Sequence, residues 1–421
     1  MRAQNSTKTV DNASQSVKLL VFRFVGKGGA AVRLSMNTRY AVIHASFWGA
    51  YGSLWAFIAL VLEYNGFASA QVGVVTSCAT LLSVFLSPAV SSFLDARPGL
   101  ENRHGAMALL TLAAALCLLV WLVPLPRLFV LGACFALIGA LLSSTPPFQN
   151  AMAMDANRCG IPVVYGFCRG VGSVSYAAAV LLLGFVLERH APTLLLPVFA
   201  ALTACGLLAM SGFRLPERPD EAADRPAERR SIAAVLRSHP RFALTLLGCM
   251  FFFLTHTISN TYMNALVGKA GGTASAVGTS LAISAVLELP AMTLVSRLQK
   301  RFSPGFFLRF AAGAEVVKFL IFYLARSMPL IYLGQCMQFF QFAVYAPATV
   351  YYVAAALPER DQLKGQSLIY VAGSGLGGAL GNLLGGRLLD RSGIQAALLL
   401  GTVSAAASLL TFCLSTREDS R

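Results

Sequence analysis

Five ionisable side chains lie inside long apolar stretches of this sequence, where they could bind a charged solute or carry a proton. Arg169, His256 and Glu288 each lie in a different stretch, and Glu315 and Lys318 share a fourth. A charge at the centre of a lipid bilayer costs at least ~2.5–3.5 kcal/mol on insertion scales and persists only with a partner or water. These residues therefore predict a functional polar site inside a membrane.

Four of these groups have the chemistry of proton coupling, namely Glu288, Glu315, Lys318 and His256. Glu315 and Lys318 are three residues apart, so they can pair directly on one helix, and a purely structural ion pair is the alternative. Glu288 has no cationic partner in its own stretch. It must reach another helix or water, or hold a proton, and a structural hydrogen bond is the alternative. His256 is the best switch, because its ordinary pKa lies close to neutral pH.

Neutral hydrogen-bonding and aromatic side chains accompany these charges in the apolar stretches. Amides and aromatic rings suit polyhydroxylated or heterocyclic solutes such as sugars, glycosides or nucleosides, and the cations leave a small organic anion open. Ordinary hydrogen bonding between helices is the alternative for about half of them. The candidates are Tyr51, Trp55, Asn150, Asn260, Tyr262, Asn264, Gln335, Gln338, Gln341, Tyr345 and Asn382.

The elements that must position these residues are transmembrane helices. Only 12% of the residues are charged and 56% are hydrophobic, against about 25% charged in a soluble domain. A membrane-spanning helix needs about 20 predominantly apolar residues, and twelve stretches qualify. We therefore expect an all-α membrane protein whose twelve transmembrane helices form two pseudo-symmetric six-helix bundles.

The composition also argues against other classes of protein. The net charge of +15 is spread between the apolar stretches, whereas nucleic-acid binding needs a basic face. The nine cysteines form no CxxC pair, which disfavours a metal site. No nucleotide-binding loop or HExxH motif is present. We expect no enzymatic activity, no catalytic residue, no metal and no cofactor.

Basic residues in alternate connections predict the orientation and the domains. Lys and Arg concentrate in the segments that would face the cytoplasm if both termini lie there. We expect a multi-pass protein of the cell (inner) membrane with cytoplasmic N- and C-termini. The predicted parts are an N-terminal tail 1–39, a bundle 40–213, a linker 214–241 with a short helix near 232–238, a second bundle 242–414 and a C-terminal tail 415–421.

The two predicted bundles resemble each other when the sequence is shifted by about 202 residues. Pro88 then matches Pro290, and Gly172 matches Gly373 at an offset of 201. Parallel repeats of this kind place a substrate site at mid-membrane between the halves. A glycine at every fourth position of the eleventh span (373, 377, 381 and 385) predicts close approach of another helix.

The chain after residue 39 resembles the major facilitator superfamily. Its residues 93–99 (FLDARPG), followed by Arg103, are similar to the superfamily signature G-x-x-x-D-R-x-G-R-[RK], although Ser91 or Ser92 stands where the leading glycine is expected. The resemblance implies that Asp95, Arg97 and Arg103 form part of a cytoplasmic gate.

Within that superfamily the sequence is most similar to the lactose-permease and phenylpropionate-permease group of proton symporters. The fifth span has an arginine followed by a glycine three residues on and an aromatic residue seven residues on, similar to a stretch of lactose permease. By resemblance Arg169 anchors the solute and Tyr176 stacks on it. Asn150 replaces a carboxylate of that group, Gln338 and Gln341 replace its histidine and glutamate, and Lys318 replaces an arginine.

These observations predict a proton-coupled symporter of a small polar solute, such as a sugar or oligosaccharide, that works by alternating access. An uncoupled facilitator or exporter of a nucleoside or small aromatic acid is the alternative within transport. A membrane sensor or scaffold without transport is the alternative from another class. The expected partners are the solute, protons and membrane lipid, with no nucleic acid, and we expect a monomer.

Overall fold

The computed structural model describes residues 35–97, 99–123, 127–216 and 232–416. Most of the predicted N-terminal tail, much of the linker and the end of the C-terminal tail lie outside the described residues. Every regular element in the described ranges is helical, so the predicted all-α class is confirmed.

Twelve helical spans follow one another in the described residues. The first six are α1 Met36–Tyr64, α2 Ser69–Asp95, α3 Asn102–Leu122, α4 Leu128–Arg158, α5 Tyr165–Val186 and α6 Pro192–Ser211. The second six are α7 Pro240–Thr261 (continued by Met263–Lys269), α8 Ala274–Leu298, α9 Pro304–Leu324, α10 Met328–Ala356, α11 Glu359–Ser392 and α12 Ile394–Ser415. A short helix, Ile232–Ser238, precedes α7 where the sequence predicted one.

Eleven of these spans in the described residues are long and apolar enough to cross a membrane. The remaining span, α9, has 21 residues but contains Arg309, Glu315 and Lys318. Because Glu315 and Lys318 are both buried among other helices, their charges do not face lipid. α9 is therefore a spanning helix by length and position, and its charges mark an internal polar site.

Several spans are interrupted near their middle, where the backbone leaves the regular α-helix. α1 contains a tighter turn at Trp55–Phe57, and α10 contains one at Met337–Phe339. α11 contains a wide π-helical turn at Val371–Gly377. Such turns inside long helices often lie at functional sites, and transporters build their substrate sites from interrupted helices.

The two halves pack against each other through two pairs of helices. α5 contacts α8, and α2 contacts α11. Residues from Met36 onward form one compact unit, so the predicted division into 40–213 and 242–414 stays a prediction. The glycines of α11 contact α7, where the backbone oxygens of Met250 and Leu254 approach Gly377 and Gly381 too closely for a side chain.

The ends of the helices define two faces of the molecule. We call the face with connections 96–101 and 159–164 the proximal face. We call the face with connections 65–68, 187–191, 270–273 and residue 393 the distal face. α2 and α8 run from the distal to the proximal face, whereas α5 and α11 run in the opposite direction.

Candidate functional site

A cavity of about 360 Å³ lies between the two halves and is lined by both of them. This volume is within the roughly 300–1,000 Å³ of small-molecule sites. Arg169 of α5 lines one side and Glu288 of α8 lines the other. The cavity therefore holds a cation and an acid from opposite halves of the chain.

Arg169 is positioned by its own helix and by α1. Its Nη1 atom donates a hydrogen bond to Ser173 Oγ at 2.9 Å, one turn along α5. Its Cζ atom lies 4.0 Å from the ring centroid of Trp48, which is a cation–π contact. These two contacts leave other guanidinium N–H groups available to a solute carboxylate, phosphate or hydroxyl group.

Glu288 is linked to Lys318 through the amide of Gln338. Gln338 Nε2 donates to Glu288 Oε1 at 2.9 Å, and Lys318 Nζ donates to Gln338 Oε1 at 2.8 Å. Lys318 is only 2% exposed, whereas Glu288 and Gln338 line the cavity. Gln338 thus connects Glu288, at the cavity, to Lys318, which is buried behind the cavity wall. Glu288 therefore reaches another helix, as expected from the sequence.

Glu315 makes a parallel contact with Gln341. Gln341 Nε2 donates to Glu315 Oε1 at 3.0 Å and lies 3.5 Å from His256 Nδ1. On the other side of the ring, Asn260 Nδ2 lies 3.0 Å from His256 Nε2. A chain of side chains therefore runs from buried Glu315 to the cavity residues His256 and Asn260.

The predicted direct ion pair between Glu315 and Lys318 is wrong. Neither residue, both of which the structure describes, forms an ion pair at salt-bridge distance. Each is bonded instead to a glutamine of α10. The spacing of three residues permits a contact on one helix, but Gln338 accepts from Lys318 and Gln341 donates to Glu315, so each charged group has an amide partner of its own.

The break in α10 positions both glutamines. The helix tightens at Met337–Phe339, leaves helical geometry at Gln341 with φ −97° and ψ −94°, and resumes at Phe342. Gln338 and Gln341 therefore lie in the irregular stretch, facing α8 and α9. Non-helical backbone at membrane depth is tolerated where it is buried in protein or lines a cavity.

The remaining predicted site residues separate into three groups. Those that line the cavity are Tyr51, Trp55, Arg169, Tyr176, His256, Asn260, Glu288, Gln338 and Asn382. Those buried behind its wall are Glu315, Lys318, Gln341 and Tyr345. Away from it, Asn150 accepts from the Tyr165 hydroxyl, Asn264 donates to Glu63, the Tyr262 hydroxyl donates to the carbonyl of Asn382, and Gln335 Nε2 lies 3.5 Å from Met263 Sδ.

Several lining residues were not predicted from the sequence. Trp48 precedes Tyr51 by three residues and Trp55 by seven, which puts all three on one face of α1. That spacing is a sequence signal for Trp48, although this residue carries no charge. The other lining residues that were missed include Thr80, Ser173, Phe253, Phe342, Tyr370 and Ser374.

The predicted gate residues lie at the proximal face. Asp95 and Arg97 line a second cavity there, and the Arg97 guanidinium lies 3.6 Å from the ring centroid of Phe93. Arg103 pairs with Glu101 at 2.9 Å and donates to the carbonyl of Phe213. These partners all belong to the first half, so a gate between the halves stays a prediction.

The central cavity is closed on its distal side. Ser77 Oγ donates to the carbonyl of Ala379 at 2.7 Å between α2 and α11. Gly184 of α5 lies against Ala274 and Gly278 of α8. The lining residues Thr80 and Ser83 of α2 and those of α8 from Leu281 to Glu288 lie proximal to these contacts.

Helical spans in two halves around a polar cavity define a membrane transporter rather than an enzyme. The sequence model of the MFS_1 like family matches residues 37–400. The chain belongs to this family of the major facilitator superfamily, as its resemblance implied.

Relatives and solved structures agree with that assignment. The chain is 27% identical over 400 residues to the maltose permease of Geobacillus stearothermophilus, covering 93% of this chain and 97% of that protein. It is 22% identical over 395 residues to the uncharacterized transporter YwbF of Bacillus subtilis (strain 168), covering 92% and 96%. The fold is similar to the crystal structure of the nucleoside transporter NupG, with a TM-score of 0.74, 15% identity and coverage of 92% and 100%.

Proposed function

We propose that this protein is a proton-coupled symporter of a small polar solute, with a sugar or oligosaccharide as the leading class. It would work by alternating access in the cell membrane, as a monomer with both termini in the cytoplasm. The observation that carries the proposal is the cavity between the halves, lined by Arg169 of α5 and Glu288 of α8. We also propose that, within the superfamily, the protein is most similar to the lactose-permease and phenylpropionate-permease group.

The lining supports a solute with hydroxyl groups and a flat or ring-shaped face. Arg169, Asn260, Asn382 and Gln338 offer polar groups, and aromatic rings stand among them on α1 and α5. Aromatic faces and a few polar groups that fix orientation are typical of small-molecule sites. Similarity along nearly the whole chain to a maltose permease favours a sugar.

Proton coupling is supported by the position of Glu288. One of its oxygens accepts from Gln338, which in turn accepts from Lys318. Uptake of a proton by Glu288 removes its charge from the cavity. The carboxyl group then becomes a hydrogen-bond donor, so the same residue can exchange contacts with Gln338, the solute and water as the proton comes and goes.

The second candidate within transport is an uncoupled facilitator or exporter of a nucleoside or small aromatic acid. Two glutamines stand on α10 where coupled relatives by resemblance have titratable groups, and this favours the uncoupled alternative. Stacking of a base or aromatic ring would use Tyr51, Trp55 and Tyr176, which line the cavity.

Proteoliposomes test the proposal with maltose and uridine as the probes. We expect maltose entry to be accompanied by alkalinisation of the medium. Entry of either probe without alkalinisation supports the facilitator, and no flux of either probe or of a panel of sugars, nucleosides and aromatic acids supports the sensor or scaffold.

The variant Glu288→Gln separates coupling from binding. We expect it to abolish solute-driven proton uptake and to retain counterflow exchange of the solute. Glu359→Gln is the matched control, because Glu359 is exposed at the beginning of α11, outside the central cavity. Intact proton uptake in the Glu288→Gln protein would refute the coupling role.

A further inference from the structure

A carboxylate at the end of α11 holds the first turn of α2 in the other half. Asp390 Oδ1 accepts from the backbone N–H of Ser69 at 2.9 Å, and Oδ2 accepts from that of Ala70 at 2.7 Å. The first N–H groups of a helix have no partner within it, and a negative charge there is favoured by the helix dipole. Asp390, in the second half, therefore provides the acceptor for the first N–H groups of α2, in the first half.

A second carboxylate makes the corresponding contact at α8. Glu188 follows the end of α5, and its Oε1 accepts from Thr273 Oγ1 at 2.7 Å. Thr273 directly precedes the first residue of α8. Hydrogen bonding by Ser275 and Thr273 also holds the pKa of the exposed Glu188 carboxyl below its usual range. This carboxyl group is thus bonded at the beginning of a helix from the other half.

The two contacts are related by the internal repeat of the chain. Asp390 lies 202 residues after Glu188, the same offset that aligns Pro88 with Pro290. In one contact the end of α11 binds the beginning of α2, and in the other the end of α5 binds the beginning of α8. The same device therefore occurs twice, once in each direction between the halves.

Close helix packing surrounds both contacts. Gly386 of α11 lies against the carbonyl of Ser69, and Gly184 of α5 lies against Ala274. A further hydrogen bond joins the halves nearby, from Asn264 Nδ2 to Glu63 Oε2 at 2.7 Å. Opening of the distal face must separate α2 from α11 and α5 from α8, and this movement breaks the bonds of both carboxylates.

We propose that Glu188 and Asp390 form a symmetry-related latch that holds the distal face closed and sets the balance between the two access states. This latch rests on the proposed alternating-access function. It is separate from the cavity and from the residues Asp95, Arg97 and Arg103 at the proximal face. Without it, the distal-open state gains population at the expense of the distal-closed state.

Spin-label distances across the distal face test the latch without a solute. The nine native cysteines are replaced, and labels are attached at Arg127→Cys and Ser327→Cys, two exposed distal positions in opposite halves. Electron–electron resonance then compares the parent with Glu188→Gln, Asp390→Asn and the double variant. We expect the double variant to raise the ratio of long to short distances at least tenfold, which corresponds to about 1.4 kcal/mol.

Matched variants make the result decisive. Glu359→Gln removes an exposed carboxylate at the proximal beginning of α11 and is expected to leave the distal distances unchanged. Asp390→Glu keeps the negative charge and is expected to keep the short distance at least in part. Unchanged distances in a double variant that elutes as a single folded species would overturn the latch. A shift in distance without solute flux in any variant would leave the latch in place and contradict the proposed transport function.

Discussion

Replacing Gln338 with methionine removes the amide between Lys318 and Glu288 and keeps a side chain of similar length. In the parent, the amide oxygen accepts from Lys318 Nζ at 2.8 Å and the amide nitrogen donates to Glu288 Oε1 at 2.9 Å. In the variant, neither charged group has this partner. The consequences for the two groups differ, because one faces the cavity and the other does not.

The expected cost follows from their exposure. A hydrogen bond to a charged group contributes about 1.5–3 kcal/mol. Lys318 is 2% exposed, so water does not replace the lost amide and the full amount applies. Glu288 lines the cavity, where water can bond it, and its loss is at most about 1 kcal/mol. We therefore expect Gln338→Met to lower the free energy of unfolding by about 1.5–4 kcal/mol.

Unfolding in mixed micelles with increasing fractions of dodecyl sulfate measures this change. Tryptophan fluorescence is a suitable signal, because two of the three tryptophans, Trp48 and Trp55, line the cavity. Gln335→Met is the matched control. It makes the same chemical change three residues earlier in α10, at a residue that is also buried but whose hydrogen-bond partner among the described residues is a methionine sulfur at 3.5 Å rather than a charged group.

The comparison of the two variants decides whether the reasoning holds. If Gln338→Met lowers the free energy of unfolding no more than Gln335→Met does, the amide of Gln338 does not stabilise the buried Lys318. The hydrogen-bonded link from Lys318 through Gln338 to Glu288 would then be wrong. We also expect Gln338→Met to weaken proton coupling, because Glu288 loses its link to Lys318. Full proton coupling and parental stability of the Gln338→Met protein would contradict both the stabilising role of the amide and its role in coupling.

Two further predictions concern the solute and the helix packing. Arg169→Met is expected to weaken binding of the probe that binds the parent, maltose or uridine, at least tenfold, as measured by isothermal titration. Arg326→Met, on the distal connection between α9 and α10, is the control and is expected to leave binding unchanged. Equal affinities of the two variants would refute the role of Arg169 as the solute anchor. Gly381→Leu is expected to destabilise the protein by about 1–3 kcal/mol or more, because the new side chain meets the carbonyl of Leu254. The folded fraction after heating is measured by size-exclusion chromatography. Gly313→Leu is the control, since a Cβ there meets no other atom within 4 Å. Similar losses of folded protein in both variants would show that close packing at Gly381 is not the cause.

The helical architecture was predictable because lipid leaves few alternatives. An apolar stretch of spanning length must satisfy its backbone within itself, so each stretch predicted a helix. Even α9 was identified, although three charges interrupt it, because Glu315 and Lys318 lie on a helix of the right length. The mid-membrane position of Arg169 and Glu288 followed from the same reasoning, and both line the cavity.

The partners of these charges could not be predicted in the same way. Spacing along one helix suggested that Glu315 binds Lys318, but the actual partners come from α10 and depend on its irregular turn. No residue of that turn is a proline or glycine, so the sequence carried no local signal for it. Asn150 was selected by alignment to a family position, and in the structure it bonds Tyr165 instead.

The carboxylates of the distal face were within reach of the sequence but were overlooked. Glu188 and Asp390 lie at connections, and the search for costly charges concentrated on residues inside the apolar stretches. Their common offset of 202 residues was already visible. A comparison of the charged residues at equivalent loop positions in the two halves would have identified the pair.

The wide turn of α11 bears on how the two halves came to differ. A π-helical turn accommodates one residue more than an α-helical turn, and α5 has no such turn. The offset between the halves is 201 at Gly172 and Gly373, inside the turn, and 202 at Glu188 and Asp390, beyond it. A single inserted residue accounts for both facts. At the offset of 201, Tyr370 and Ser374 correspond to Arg169 and Ser173 of α5, and all four line the cavity. Beyond the turn, the extra residue changes the register, and Gly378 rather than an aromatic residue corresponds to Tyr176.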